Sequence, residues 1–378
     1  MRVWISGGGT AGHVYPALTV LEAAGPELSE PLWVGTASGM EASIARRHGL
    51  PFLAIPAGPL VGANPLRFAR NVALLAGGAV RSWHEMGRRR PDAVLVTGGY
   101  VAVPVALAAR ARRVPVAVFL PDVRPGRAVS LIAKVADVVT TTAESARQHL
   151  PRGKTVVTGY PVRPAVRAAR REESLQRLGL TGDKPVVLVF GGSQGARRLN
   201  QAVAGAAQEL LVRADLVHVA GRLDVEAAEK SRQAIPPALR AGYVLREFLH
   251  DEDMAAALAA ADLVVSRAGA SVMGEYPARG LASILVPLPI AGGHQRLNAD
   301  ELAGRGAAVV LEDAACTGEA MLQAVLELLD DPDRLARMGR AAAQLDRPDA
   351  AAAIWRQVKS LSGRPPDRSP AASPGAAA

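Results

Sequence analysis

Short apolar runs alternate with longer amphipathic segments along the chain, which is the pattern of a parallel α/β sheet. The runs that predict strands of a first unit are residues 3–5, 32–34, 93–96 and 114–119. Those that predict a second unit are residues 186–190, 216–219, 263–265, 284–286 and 308–311. Residues 322–338 and 348–361 predict helices that close the chain.

The two units begin alike, each with a strand that leads into a glycine turn and then a helix: VWISGGGTAGHV at residues 3–14 and VVLVFGGSQGAR at residues 186–197. This repetition predicts two similar doubly wound domains. The glycine and prolines of GYPVRP, residues 159–164, place the boundary, giving domains of 1–162 and 163–344. We expect a helix at about 345–361 to pack back on the first domain, and a flexible tail at 363–378.

The net charge of +9 is confined to one part of the chain. Residues 1–160 contain 18 basic and 9 acidic side chains, whereas the remainder is balanced. Residues 67–113 alone carry nine arginines against two acids, which predicts an anionic partner, either nucleic acid or a membrane surface. An aromatic content of 4% offers few platforms for stacked bases and disfavours nucleic acid.

A single cysteine, Cys316, excludes a disulfide framework and a cysteine-based metal cluster, and it indicates a reducing compartment. The amino terminus reaches a glycine run within seven residues, which leaves no room for a secretory leader. No uninterrupted apolar run approaches the roughly 18 residues of a spanning helix. We therefore expect any membrane contact to be peripheral.

The first glycine turn, Gly7-x-Gly9-x-x-Gly12, fits a dinucleotide fingerprint. The fingerprint also needs a carboxylate at the end of the second strand, but that strand ends in Val-Gly-Thr, which disfavours a nicotinamide-dependent oxidoreductase. His13 follows the turn directly. It is either a solvent-facing residue at a helix start or a base whose pKa the helix start lowers.

Two interpretations fit Gly191-Gly192-Ser193-Gln194-Gly195. As G-x-S-x-G it predicts a hydrolase nucleophile, Ser193, activated by His250 or His294. As a glycine-rich phosphate turn it makes Ser193 a ligand of a phosphate oxygen, and the similar turn at Gly7 favours this. A third turn, Gly98-Gly99-Tyr100, adds a candidate anion site in the first domain.

Seven motifs, taken together and in order, resemble the MurG family of bacterial N-acetylglucosaminyltransferases, which convert lipid I to lipid II in peptidoglycan synthesis. They are residues 8–18 (GGTAGHVYPAL), 35–42 (GTASGMEA), 98–101 (GGYV), 159–163 (GYPVR), 191–197 (GGSQGAR), 266–270 (SRAGA) with Glu275, and 294–299 (HQRLNA). The resemblance extends to about Leu361. It implies a GT-B architecture, two Rossmann-like doubly wound domains facing a central cleft, with no metal or cofactor.

The resemblance also implies a site. The donor, UDP-GlcNAc, would contact Thr10, Ala11, Gly12, Asp122, Arg163, Ser193, Leu249, Ala270, Ser271, Val272, Met273, Gly274, Glu275 and Gln295. Within that set, Glu275 would meet the ribose, Leu249 the uracil and Gln295 the sugar. Loops at Gly8, Gly9, Gly98, Gly99 and Tyr100 would meet the acceptor diphosphate of undecaprenyl-linked lipid I.

One segment departs from the family pattern. The family has His-Glu-Gln-Asn where this chain reads Phe119-Leu120-Pro121-Asp122, so a donor-contacting asparagine becomes Asp122. An aspartate cannot donate an amide hydrogen bond, but it can act as a base. His13 is the leading base candidate and Asp122 its rival. A related glycolipid transferase or a UDP-sugar epimerase stays open as an alternative.

The basic segment contains apolar side chains, a mixture that suits a surface on anionic lipid. The predicted membrane patch comprises Leu66, Phe68, Leu75, Trp83, Arg88, Arg89 and Arg90. We accordingly expect the protein at the cytoplasmic face of the bacterial cell membrane, held peripherally.

Overall fold

The computed structural model describes residues 1–59, 64–192, 196–289 and 293–362. These residues form two α/β units, each built on a parallel sheet with helices on its faces. The sequence prediction of two doubly wound units is confirmed.

The strands of the first sheet are β1 (Arg2–Gly7), β2 (Glu30–Gly35), β3 (Phe52–Ala54), β4 (Ala93–Gly98), β5 (Val116–Leu120), β6 (Val138–Thr141) and β7 (Thr155–Val157). Their order across the sheet is β3-β2-β1-β4-β5-β6-β7. The central strands are buried along almost their whole length, as expected for a sheet covered on both faces.

The strands of the second sheet are β8 (Val186–Phe190), β9 (Asp215–Val219), β10 (Tyr243–Arg246), β11 (Leu263–Ser266), β12 (Ala282–Leu285) and β13 (Ala308–Val310). Their order is β10-β9-β8-β11-β12-β13, and every pairing is parallel.

The helices of the first unit are α1 (Ala11–Ala24), α2 (Met40–Arg47), α3 (Pro65–Arg88), α4 (Ala102–Ala111) and α5 (Arg127–Val135). Those that follow are α6 (Pro164–Ala168), α7 (Arg171–Leu178), α8 (Arg197–Arg213), α9 (Val225–Gln233), α10 (Pro237–Arg240), α11 (Asp251–Ala260), α12 (Val272–Arg279), α13 (His294–Gly304), α14 (Gly318–Leu329), α15 (Pro332–Ala343) and α16 (Ala350–Leu361). Among the described residues, no helix is both long and apolar enough to span a bilayer.

Each sheet has a topological switch point near its centre, where successive strands begin to be added on the opposite side. In the first sheet this point lies between β1 and β4, and in the second between β8 and β11. Open α/β sheets bind ligands in the crevice at the carboxyl ends of such strands. The loops that leave these four strands are the glycine-rich segments of the sequence, so the topology brings those motifs into position.

Four strands were not predicted, namely β3, β6, β7 and β10. They are only three or four residues long; β6, β7 and β10 also carry threonine or arginine, and β3 is a three-residue apolar run too short to mark a strand. The single helix predicted at residues 322–338 is wrong. Pro332 begins a new helix there, and the Asp331 carboxylate accepts the backbone N–H of Arg334 at 2.8 Å, which fixes the break.

The last helix, α16, packs against α1 of the first unit. Its residues Ile354 and Val358 are fully buried, and the indole Nε1 of Trp355 donates to Glu27 at 2.7 Å. The chain therefore crosses from the second unit back to the first near its carboxyl end.

Candidate active site

His13 lies in the first turns of α1, at the carboxyl edge of the first sheet. Its Nδ1 lies 2.7 Å from the carbonyl oxygen of Thr97, which can only accept, so Nδ1 carries the proton and donates it. The neutral ring then keeps a lone pair on Nε2. Burial lowers the pKa of His13 below its ordinary value, and the Asp122 carboxylate opposes part of that shift. His13 is thus a neutral imidazole with Nε2 able to accept a proton.

The third glycine turn makes room for this ring. Gly98 adopts a φ of +124°, and a Cβ placed on it would lie 2.6 Å from the His13 imidazole. Thr97 completes the arrangement, because its hydroxyl donates to the backbone oxygen of His13. A side chain at residue 98 would therefore displace the proposed base.

The helix start beside His13 faces the second unit. Thr10 occupies the N-cap position in an extended conformation, and its side chain makes no capping hydrogen bond. A Cβ on Gly12 would lie 3.8 Å from the Ala270 side chain of the second unit, so the two units nearly touch here. The backbone N–H groups at the start of α1 point toward the amino end of the helix, where anions are stabilised.

Asp122, the departure from the family pattern, is held by a residue of the other unit. Asn298 of α13 is fully buried, and its Nδ2 donates to the Asp122 carboxylate at 2.8 Å and to the Ala268 carbonyl at 3.1 Å. Its Oδ1 accepts the backbone N–H of Val123 at 2.9 Å. One amide side chain therefore connects the loop after β5 to the second unit and fixes the orientation of Asp122.

A partly buried arginine lies on the other side of the cleft. Arg163 donates through Nε at 3.1 Å and Nη2 at 2.7 Å to one oxygen of Glu275, and through Nη1 at 3.1 Å to Asp251. Although burial opposes its charge, these two carboxylates hold the pKa of Arg163 above its ordinary value. Its guanidinium also lies 4.9 Å from the centre of the Tyr15 ring, which belongs to the first unit. Burial, together with a hydrogen bond to Asp251, raises the pKa of Tyr15 to about 12.

These groups line a pocket between the units. Gly12 and Tyr15 form one wall, and Leu249, Ser271 and Glu275 belong to the other. Tyr160, Arg163, Phe190, Gly192, Val219, Phe248, Asp251 and Met254 complete the lining. The pocket combines aromatic and aliphatic walls with a few charged groups, the composition usual for a site that binds an organic ligand.

The start of α12 contributes through its backbone. The side chains of Val272 and Met273 are buried in the core of the second unit, which leaves only their backbone groups for a ligand. Gly274 is required for packing, since a Cβ there would lie 2.5 Å from the Tyr160 ring. Gln295 at the start of α13 accepts the backbone N–H of Leu288 at 2.9 Å through Oε1, so its amide N–H groups stay available as donors.

Some predicted residues lie outside the described part of the chain. Ser193 is one of them, and so is the tail at 363–378. Asp251 occupies the first turn of α11 and also forms an ion pair with Arg163. Within the described ranges, no cluster of His, Cys, Asp and Glu side chains has the arrangement of a metal site.

The predicted membrane patch lies largely on α3. Leu66, Phe68 and Trp83 are 80%, 48% and 41% exposed, and Arg88 to Arg90 are exposed as well. Leu75 does not belong to this surface. It is buried, because the 3.6-residue period places it with Gly78, Ser82 and Met86 on the inward face of the helix.

The exposed surface of α3 has two stripes. At 100° per residue, its basic residues fall on one side and its exposed apolar residues on the adjacent side. The basic stripe comprises Arg67, Arg70, Arg81 and Arg88, and the apolar stripe comprises Leu66, Val72, Val80 and Trp83. Arg112 of the following helix region stacks on Trp83, with its guanidinium carbon 3.6 Å from the ring centre.

Sequence reasoning missed four residues that the structure brings to the site. Tyr15 and Tyr160 lie within two of the seven motifs and Asn298 lies within HQRLNA, but the sequence assigned none of them a role. Glu41 belongs to the GTASGMEA segment and is buried against the first glycine turn. The available signal was the position of each residue inside one of the seven motifs, which for Tyr15, Glu41 and Asn298 follows a predicted strand.

A two-unit fold with glycine turns at both switch points and a cleft between the units is the GT-B architecture. The family comparisons agree. The glycosyltransferase family 28 N-terminal domain matches residues 3–141, and the family 28 C-terminal domain matches residues 186–354.

Curated relatives name the family more closely. The UDP-N-acetylglucosamine–N-acetylmuramyl-(pentapeptide) pyrophosphoryl-undecaprenol N-acetylglucosamine transferase of Moorella thermoacetica is 41% identical and covers 94% of this chain and 97% of its own. The enzyme of the same name from Roseiflexus is 39% identical and covers 93% of both chains. The crystal structure of Acinetobacter baumannii MurG superposes with a TM-score of 0.73 at 28% identity, over 95% of this chain and 99% of that one.

The chain therefore belongs to the MurG family of N-acetylglucosaminyltransferases, as its sequence motifs predict. A UDP-GlcNAc 2-epimerase from Neisseria meningitidis, solved with UDP-GlcNAc, covers 95% of this chain with a TM-score of 0.67 but only 14% identity, so it shares the fold alone.

Proposed function

We propose that this protein transfers GlcNAc from UDP-GlcNAc to the C4 hydroxyl of undecaprenyl-pyrophosphoryl-MurNAc-pentapeptide, lipid I, with inversion at the anomeric carbon. The observation that carries the proposal is the state of His13. A neutral imidazole with Nε2 unprotonated lies at the cleft edge of the first unit, where an acceptor hydroxyl needs a base.

Each bond that forms or breaks in the transfer can be assigned to His13, the acceptor hydroxyl and the donor. His13 Nε2 takes the proton of the C4 hydroxyl while that oxygen forms a bond to the anomeric carbon. The bond from the anomeric carbon to the phosphate oxygen breaks, and its electron pair leaves with UDP. Backbone N–H groups at helix starts stabilise the charge that develops on the diphosphate.

The donor is assigned to the pocket wall of the second unit. The hydrogen bonds that Glu275 receives from described residues all fall on Oε1, so Oε2 can accept a ribose hydroxyl. Leu249 and Phe248 flank the position assigned to uracil. The donor amides of Gln295 are assigned to the GlcNAc hydroxyls, and Ser193 keeps the diphosphate role that the family resemblance implies.

Asp122 is assigned an electrostatic part rather than the role of base. Asn298 donates to its carboxylate and holds it in place beside the cleft. The negative charge of Asp122 stabilises His13 once it has accepted the proton. The aspartate thus supports the imidazolium without itself taking the proton.

The α3 surface is the proposed membrane contact. Adjacent basic and apolar stripes match a bilayer surface with anionic headgroups, into which exposed Leu66 and Trp83 can insert. We propose accordingly that the enzyme binds peripherally at the cytoplasmic face, where a lipid-linked acceptor would be within reach of the cleft.

The reaction is tested by measuring UDP release with purified protein. Release should require both UDP-GlcNAc and a lipid I analogue, and the product should be the GlcNAc-extended lipid. UDP release from UDP-GlcNAc alone, or formation of UDP-ManNAc, would contradict the assignment and support hydrolysis or epimerisation. Labelling of Ser193 by a serine-reactive probe would favour a hydrolase.

The membrane contact is tested separately with vesicles. Binding to vesicles that contain anionic lipid should weaken with added salt and with Ala at Arg88, Arg89 and Arg90. The matched control places the same three changes at Arg334, Arg337 and Arg340 of the second unit, and it should bind like the wild type. Equal binding of the wild type to neutral vesicles would remove the electrostatic argument.

A further inference from the structure

Glu41 is a buried carboxylate that the proposed mechanism does not use. It lies in the first turn of α2 and is 1% exposed. Its Oε1 accepts from the backbone N–H of Thr36 at 2.9 Å and from the Thr36 hydroxyl at 2.8 Å. Its Oε2 faces the backbone N–H of Gly9 at 3.4 Å. A buried carboxylate that is stabilised by hydrogen bonds of this kind orders the segments that supply them.

Three glycines leave room for this one carboxylate. A Cβ on Gly8, Gly35 or Gly39 would lie 2.6, 2.6 or 2.2 Å from an atom of the Glu41 side chain. Gly8 and Gly39 lie in the loops that follow the neighbouring strands β1 and β2, and Gly35 is the last residue of β2. Both loops are therefore shaped around Glu41, and neither could keep its path with a larger residue at these positions.

The first glycine turn is held from its other side as well. A Cβ on Gly99 would lie 2.4 Å from the backbone oxygen of Gly8, and the Gly8 N–H donates to the Gly98 oxygen at 3.3 Å. The turn thus lies between Glu41 on one side and Gly98 and Gly99 on the other. Its backbone has little freedom, and its continuation is the start of α1 that carries His13.

We infer that Glu41 is a positioning residue for the acceptor diphosphate, an inference that rests on the proposed function. By facing the Gly9 N–H, the carboxylate keeps that donor from a phosphate, and its negative charge repels an anion from that side of the turn. The diphosphate is then directed to the N–H groups of Ala11 and Gly12 at the start of α1. Glu41 acts through the turn and does not touch the substrate.

The test compares Glu41→Gln with the wild type. The amide can still accept from Thr36 through its oxygen, but its NH2 group then faces the Gly9 N–H, donor against donor. We expect the KM for a lipid I analogue to rise by about 10-fold or more, because the turn loses the contact between the Gly9 N–H and the Glu41 carboxylate and no longer directs the diphosphate to the start of α1. The KM for UDP-GlcNAc should stay within about twofold, since the donor is held by the other unit.

Asp137→Asn is the matched control. Asp137 accepts the backbone N–H of Val116 at 2.7 Å, at the opposite edge of the same sheet, so the change from carboxylate to amide is the same but remote from the turn. It should leave both KM values unchanged. Glu41→Asp is a second variant, which keeps the charge but withdraws it from Gly9, and it should also raise the acceptor KM.

The outcomes separate this inference from the proposed function. If the wild type transfers GlcNAc but Glu41→Gln and Glu41→Asp show a wild-type acceptor KM, the positioning role is wrong and the function stands. Equal rises in both KM values, in step with a lowered melting temperature, would assign Glu41 a purely structural role. If the wild type itself transfers nothing to the lipid I analogue, the proposed function fails first.

Discussion

Replacement of His13 is the most direct test of the chemistry. His13→Asn keeps a side-chain N–H near the Thr97 carbonyl but removes the basic Nε2, so the variant should fold like the wild type. Loss of a general base typically slows a reaction by about 10²–10⁴-fold, which corresponds to about 3–5 kcal/mol of barrier. We expect kcat to fall by that amount, while the KM for UDP-GlcNAc changes little.

The pH dependence supplies an independent measure of the same group. His13 must be unprotonated to act, so kcat/KM should rise with pH through the His13 pKa, which burial places below its ordinary value. The Asp122 charge acts in the opposite direction. Asp122→Asn should therefore move the acid limb to lower pH, and it should reduce kcat only in part.

Steady-state rates and pH profiles of both variants decide between the two base candidates. Near-normal turnover in His13→Asn and in His13→Ala, together with loss of activity in Asp122→Asn, would refute the reasoning and make Asp122 the base. An acid limb that stays in place in Asp122→Asn would show that the aspartate charge does not reach the imidazole.

Three further changes test the packing around the cleft. Arg163→Ala leaves the buried Glu275 carboxylate unpaired and should lower the free energy of unfolding by about 3–5 kcal/mol, measured by denaturant unfolding. The KM for the donor should also rise, and an unchanged unfolding midpoint would show that the ion pair does not stabilise the fold. Gly274→Ala should cost about 1–3 kcal/mol because of the close approach of an aromatic ring, whereas Gly269→Ala, with open space around its Cβ position, should cost far less. Asn298→Ala removes the hydrogen bonds that connect the units, so it should lower the free energy of unfolding by about 1–3 kcal/mol and also lower kcat. A loss of stability with an unchanged kcat would show that Asn298 does not orient Asp122.

The fold followed from the sequence wherever a strand is a continuous apolar run. The strands at residues 93–98 and 186–190 are examples, since both faces of each are buried. The short outer strands could not be found this way, because Thr140 and Thr141 resemble loop residues until a neighbouring strand pairs with them. Helix ends were set by residues such as proline rather than by the apolar pattern, as the helix break at Pro332 shows.

The candidate site was predictable at the level of loops but not of side-chain partners. Glycine turns after strands placed His13 and Gly98 at one edge of a sheet, yet nothing in the sequence shows that the ring donates to the Thr97 carbonyl. The contacts of Asn298 with Asp122 join residues 176 positions apart. Such pairs depend on how the two units meet, which no local pattern encodes.

The return of α16 to the first unit means that two peptide segments bridge the units, one near Tyr160 and one near Arg347. A cut near Tyr160 would leave the units joined only by the noncovalent packing of α16 on α1, whereas a cut near Arg347 would leave them covalently joined through the first segment. Two bridges also restrict how the halves can swing apart, because a motion must bend both at once. Since α16 rests on α1, the helix that carries His13, the carboxyl-terminal end of the chain is mechanically linked to the catalytic edge of the cleft.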